Sequence, residues 1–243
     1  MNILDHIRGV SDKDKAGAIK VLIDESTPDF DFFLLTILAV LMATFGLLEN
    51  SSAVVIGSML IAPVLFPVLS LGLSIVMSDR ALIGRAAGTL GKAFLLGIFT
   101  SFTATLLLGG SVVTDEILAR TTPTLLSIAI AIVAGFAVSY ATVRPNLSSS
   151  LVGIAVSVAL IPPIAVVGIG LAHGNINIVA GALGFLLINV VGIIFAAMLV
   201  FSLMNLYVKR TVAEAAAASA DKKKQEEEKL IAKTAEKNDG TKS

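Results

Sequence analysis

Between Phe32 and Val208 the chain carries nine formal charges in 177 residues, five basic and four acidic. The remaining charges sit at the two ends: 4 basic and 7 acidic in residues 1 to 31, and 9 basic and 7 acidic in residues 209 to 243, completing totals of 18 and 18. A long stretch so poor in charge does not make an ordinary water-facing surface, because soluble domains are about a quarter charged. This chain is 15% charged and 56% hydrophobic, with a mean hydropathy of +0.91. It reads as a membrane domain, residues 32 to 208, between a polar segment (1 to 31) and a charged tail (209 to 243).

A helix needs about 20 apolar residues to cross roughly 30 Å of hydrocarbon. Six stretches approach or exceed that length: 32 to 48, 52 to 77, 82 to 109, 124 to 143, 147 to 172 and 177 to 207. The second and fifth are 26 residues each, about 39 Å if straight, so they must tilt, kink or unwind. Both contain prolines: Pro63 and Pro67 in the second, Pro162 and Pro163 in the fifth. Proline lacks the amide hydrogen and clashes with the preceding turn. We therefore expect half-helices, one ending near Leu60 to Ala62 and another starting near Pro67, with a matching break at Ile161 to Pro163.

Basic residues near span ends set orientation. With the N-terminus inside, the inner flanks hold Lys20, Arg80, Arg85, Arg144, Lys209 and Arg210, and the outer loops hold Arg120. Both termini should then face the cytoplasm, with outer loops at Glu49–Asn50, Asp115 to Arg120 and His173 to Asn175. Ser11 can cap an N-terminal helix with Asp14 at its third position, giving Ala16, Ile19 and Ile23 one apolar face. The tail from Val212 to Lys237 reads as a solvated helix, with Lys223 and Glu227, or Lys224 and Glu228, four apart. Its last residues, NDGTKS, read as disordered.

Laying residues 50 to 91 on 146 to 187, a gap-free offset of 96, pairs Asn50 with Asn146, Ser52 with Ser148, Gly57 with Gly153, Pro67 with Pro163, Gly72 with Gly168 and Gly88 with Gly184. Three spans per copy is an odd number, so the second copy enters the membrane from the opposite side. The expected fold is an all-α integral membrane protein: six transmembrane helices as two inverted three-helix repeats, about 32 to 110 and 124 to 207, with proline-broken second and fifth helices. Backbone groups freed at such breaks cannot face lipid and must be buried in protein or line a wet cavity. Two facing breaks would form a mid-membrane site.

The expected solute or ion pathway comprises Asn50, Ser52, Ser58, Pro63, Pro67, Asn146, Ser148, Ser157, Pro162, Pro163 and Asn189. Glu49, Lys92 and Arg144 are candidate gates or charges, each weighed against a rim charge, a snorkelling lysine and a positive-inside anchor. Gly84 and Gly88, with Ala180 and Gly184, have small-xxx-small spacing for helix packing, between the repeats or between subunits of a homo-oligomer.

No cysteine is present, and neither an HExxH motif nor paired carboxylates suggest a metal or cofactor. No Walker motif or acidic residue within the spans suits ATP-driven or carboxylate proton chemistry. No catalytic residue is assigned, and the expected partners are the lipid bilayer and a small solute or ion, not nucleic acid. The leading reading is a transporter or channel-like permease. The alternatives are a non-transporting scaffold or sensor acting through the tail, and an intramembrane lipid-phosphate enzyme using Arg144, Asn146 and Ser148 to Ser150.

The run NSSAVVIGSMLIAPVLFPVLSLGL resembles the signature of the domain-of-unknown-function family 389, prokaryotic multi-span membrane proteins. The runs SLVGIAVSVALIPPIAVVGIGLA and ALGFLLINVVGI look like that family's second half, so the similarity covers about residues 31 to 207. Many relatives carry a longer soluble domain before the first span, where about 30 residues stand here. The family has no settled substrate. The resemblance therefore implies the fold, in a prokaryotic plasma membrane, rather than an activity.

Overall fold

The computed structural model describes residues 10–108, 113–144, 147 and 149–239, with the backbone alone described for 149–159, 228 and 232–239. The described residues form helices and turns, with no strand among them. Ser11 caps α1 (Asp12–Glu25) by accepting from the Asp14 amide at 3.1 Å, as its spacing predicts. Ala18, Ile19, Leu22 and Ile23 make the buried face of α1. Asp29 starts α2 (Phe30–Leu48) by accepting from the Phe32 amide at 2.7 Å. Then follow α3 (Ser52–Met59), α4 (Leu65–Val76), α5 (Arg80–Leu108), the short α6 (Asp115–Leu118), α7 (Leu125–Val143), α8 (Ser149–Ala172) and α9 (Ile176–Leu203). A 3₁₀ turn at Leu206–Lys209 leads into α10 (Arg210–Asp239).

Four of these helices, α2, α5, α7 and α9, are long and apolar enough to cross a membrane. They leave large apolar side chains on the outside: Leu125 is 86% exposed, Leu107 80%, Leu95 70% and Val133 68%. Such a surface suits lipid rather than water. Lipid tails are as apolar as leucine, so helix association must come from close packing and internal hydrogen bonds rather than from burial alone.

The centre of the bundle is α8, which packs on α2, α3, α5, α7 and α9. Every residue from Leu160 to Gly170 is buried. One end of the bundle carries α1, α10 and the α4–α5 corner, joined by an Arg210–Asp79 ion pair at 3.2 Å. The other end carries α6, where the Thr114 hydroxyl donates to the Leu47 carbonyl at 2.6 Å. The start of α9 lies at that end too, because a Cβ at Gly181 would collide with the carbonyl oxygen of Thr121, three residues beyond α6.

The α4–α5 and α8–α9 corners, at these opposite ends, are built alike. Met77 donates to the Leu73 carbonyl and Asp79 to Ser74, while His173 donates to Ile169 and Asn175 to Gly170. Each donor and acceptor is displaced by 96 residues from its counterpart. Ser78 and Gly174 both take positive φ, 53° and 63°. Asp79 then caps α5 by accepting from Ala81 and Leu82, and Asn175 caps α9 by accepting from Asn177 and Ile178.

Two expectations need correction. The fifth stretch is not broken: α8 is one helix with Pro162 and Pro163 inside it. Of the two prolines that frame the second-stretch break, Pro63 corresponds to Ala159, so the residue that would open α8 at that point is missing. The adjacent pair Pro162–Pro163 removes donors only from Val158 and Ala159, and the helix runs on through them with every residue from Leu160 to Gly170 buried. At the tail, Asn238 and Asp239 belong to α10 rather than to a disordered end, and residues 240–243 lie outside the described residues.

Candidate functional site

The second stretch breaks between α3 and α4, over Leu60 to Val64. Pro63 cannot donate to the Met59 carbonyl, so α3 closes with tighter three-residue bonds, Leu60 to Gly57 at 3.2 Å and Ile61 to Ser58 at 3.3 Å. Pro67 is the third residue of α4, where a missing amide hydrogen removes no intrahelical bond, so it helps start the helix instead of breaking it. Among the described residues, the amides of Ala62 and Val64 have no backbone partner. Val64 is 1% exposed. A buried unpaired amide costs on the order of 1–3 kcal/mol, and more in hydrocarbon.

The break lies against the central helix, since α3 and α4 both pack on α8. Pro162 and Pro163 are buried there. Ser58 is fully buried, and its hydroxyl donates to the Val55 carbonyl at 2.6 Å. Asn189 is buried on α9 at 3% exposure. Asn146 and Ser148, and the side chain of Ser157, lie outside the described residues.

Other predicted site residues stand elsewhere. Asn50, at φ 53°, accepts from the Glu116 amide at 3.1 Å, and Ser52 donates to the Glu116 carboxylate. Both therefore pin α6 to the rim of the bundle, far from the break. Glu49 and Lys92 are exposed, the latter on the outward face of α5. The Arg144 guanidinium lies over the Tyr140 ring, 5.4 Å from its centroid. Among the described residues a Cβ at Gly84, Gly88 or Gly184 would meet nothing within 4 Å, and Ala180 is exposed.

Close approaches occur at other glycines, Gly72 and Gly168 among them. A Cβ at Gly72 would sit 2.9 Å from the Ala197 Cβ and 3.4 Å from the Ile194 carbonyl oxygen. One at Gly168 would sit 2.6 Å from the Ser101 Cβ and 2.7 Å from the Ile98 carbonyl oxygen. Sequence reading also missed a buried hydroxyl pair. Ser101 donates to the Ala165 carbonyl at 2.7 Å, just past the double proline, and the Thr44 hydroxyl lies 2.9 Å from Ser101. Thr44 has one proton to share between Ser101 and the Val40 carbonyl, at 2.7 Å. Nothing in sequence spacing marks these residues, because their partners are 57 and 64 positions away.

Three cavities lined by described residues lie away from the break. One of about 340 Å³ runs between α1 and α10, lined by Lys20, Asp24, Lys223 and Glu227 among others. Beside it lies one of about 220 Å³ at Phe30, Phe33 and Ile231. A third, about 390 Å³ and almost wholly apolar, opens sideways between α7 and α9. No cluster of three or more histidine or acidic side chains suited to a metal ion occurs among the described residues.

In comparisons with known proteins, the family described as a domain of unknown function (DUF389) matches residues 59–195. An uncharacterised protein of Methanocaldococcus jannaschii is 37% identical over 169 residues, covering 70% of this chain and 52% of that protein. The chain thus spans about half the length of this relative. No solved structure matches.

Proposed function

We propose, from the premise that this chain belongs to the DUF389 family, that it is a six-pass permease, a transporter or channel, for a small solute or ion. The passes are α2, the broken pair α3–α4, α5, α7, α8 and α9. They form two inverted three-helix units flanked by cytoplasmic segments 1–31 and 209–243, in a prokaryotic plasma membrane. The matched corners at opposite ends of the bundle support the inversion. So does the gathering of Arg85, Lys209 and Arg210 at the α1/α10 end for the orientation. The open small-residue faces of α5 and α9 suit helix contacts in a homo-oligomer.

The carrying observation is the Leu60–Val64 break, where the Ala62 and Val64 amides have no backbone partner among the described residues. Lipid cannot satisfy these groups, and water or a passing solute can. The solute would meet the amide end of α4 on one side. On the other it would meet α8, where Pro162 and Pro163 leave the Val158 and Ala159 carbonyls without helical donors. The test is flux into proteoliposomes, followed by light scattering with KCl, sodium acetate and glycerol as separate probes. Pro63→Ala restores a donor to the Met59 carbonyl and should lower flux at least tenfold in folded protein. Equal flux in parent and variant overturns the site.

A further inference from the structure

The two matched corners differ in one chemical respect. Asn175 caps α9 with a neutral amide oxygen, whereas Asp79 caps α5 with Oδ1 and turns Oδ2 to Arg210, the first residue of α10, at 3.2 Å. A cap needs no charge, so the carboxylate does something further. Arg85 reaches the same helix, to the Asp221 carboxylate at 2.5 Å and the Ala217 carbonyl at 3.3 Å, and also donates to Thr27 in the α1–α2 turn at 3.0 Å. The residue 96 positions on is Gly181, which has no side chain to offer. The grip is therefore an addition to one copy of an otherwise matched pair.

Besides these pairs α10 packs on α1, and Lys209 just before it pairs with Asp12 at 3.0 Å. Among the described side chains of α10 the buried ones are the small Ala213, Ala216 and Ala220, and Asp221 and Arg210 are each more than half exposed. Each pair joins a largely buried residue of the corner, Asp79 or Arg85, to a half-exposed residue of α10 that water can reach, so the attachment is poised to release rather than fused to the bundle. The segment leading to it turns at Asn205, in the left-handed region at φ 57°.

We propose that α10 is a latch. By gripping the α4–α5 corner through Asp79 and Arg85 it holds the first three-helix unit closed at that end, and its release frees the corner to move against α8 and α9. The effect on permeation rests on the function proposed above, but the latch is a conformational equilibrium that can be read without transport.

The chain has no cysteine, so single cysteines report on it cleanly. Full-length protein in liposomes carrying Ala220→Cys is labelled with a soluble maleimide, in the parent and in Asp79→Asn. Asparagine keeps the α5 cap as Asn175 does for α9, and removes the ion pair. Labelling at 220 should quicken about tenfold, the expected size for losing one charged hydrogen bond. Arg85→Gln should act in the same direction, and the exposed Ala218→Cys should label equally in all backgrounds. Met77→Cys, buried at the corner, should become reactive in Asp79→Asn. Unchanged slow labelling at 220 in both variants overturns the latch, and so does faster labelling at 220 with an inert Met77→Cys. Absence of flux in parent and variants alike would count against the permease while leaving the labelling result decisive for the latch.

Discussion

Gly72 and Gly168 occupy the same place in an exchanged relationship. Gly72 on α4 approaches Ile194, Ala197 and Met198 of α9, while Gly168 on α8 approaches Ile98, Ser101 and Phe102 of α5. Every one of these positions is displaced from its counterpart by 96 residues, and each glycine meets the opposite copy. A twofold relation between the two stretches would produce this exchanged pattern of contacts.

The close approaches set the first prediction. A side chain at Gly168 would collide with the α5 backbone at 2.7 Å and 2.8 Å, and one at Gly72 would press on a single Cβ at 2.9 Å. Gly168→Ala should destabilise by about 2–3 kcal/mol and Gly72→Ala by about 1–2 kcal/mol, since overpacking in dense interiors costs that much. Gly84→Ala, in open space within a helix, should be neutral or stabilising by up to about 1 kcal/mol. Unfolding in mild detergent ranks the three, and an equal loss for Gly84→Ala would contradict the packing described.

A second prediction concerns acid. The Asp79 carboxyl is held below its ordinary 3.8, first by the hydrogen bond from the Leu82 amide and then, against the opposing effect of burial, by the Arg210 charge and the Ala81 amide. A depressed carboxyl contributes stability above its unfolded pKa and loses it as pH falls through the folded value. The loss should therefore begin near pH 4 and grow below it. In Asp79→Asn that acid-dependent component should vanish. Asp79→Ala should cost about 1–2 kcal/mol at neutral pH through the lost cap. Stability measured from pH 7 down to pH 3 separates the variants.

These features divide according to what was legible in the chain. The apolar stretches, the Ser11 cap and the offset of 96 could be read directly, because period and spacing are local properties of a sequence. The break at Pro63 could be read for the same reason. The continuity of α8 could not: whether a proline opens a helix depends on the packing around it, and Leu160 to Gly170 are enclosed on all sides. Small-residue spacing points to Gly84 and Gly88, yet spacing does not say which face meets a neighbour, and close approaches fall on other glycines, Gly72 and Gly168 among them. Arg85 and Arg210 were read as topology markers, and their carboxylate partners, 136 and 131 positions away, carry no local signal.

The Thr44–Ser101–Ala165 chain gives a third prediction. Ser101→Ala removes the donor to the α8 carbonyl and the neighbour of Thr44, but Thr44 keeps the Val40 carbonyl as an outlet for its proton. The cost should be about 1 kcal/mol, the usual net value of a neutral hydrogen bond. Thr44→Val should cost less, because Ser101 retains its bond to Ala165. A double-mutant cycle should show coupling of about 0.5 kcal/mol, as expected for residues in one network. Full additivity would mean the two hydroxyls do not communicate.

The last prediction tests the break without a solute. An amide that lacks a partner and is reached by water exchanges its hydrogen quickly, even at membrane depth, whereas amides within a packed helix do not. Ala62 and Val64 should therefore exchange at least a hundredfold faster than Leu69 or Val166, which sit in the buried faces of α4 and α8. Pro63→Ala lets residue 63 donate to Met59 and α3 run on toward α4, so protection should rise at Ala62 and Val64 in the variant. Hydrogen exchange of the protein in nanodiscs, resolved by peptide, provides the comparison. Slow exchange at both amides in the parent would mean that a partner already satisfies them, leaving no polar opening between α3 and α4 for water or a solute to occupy.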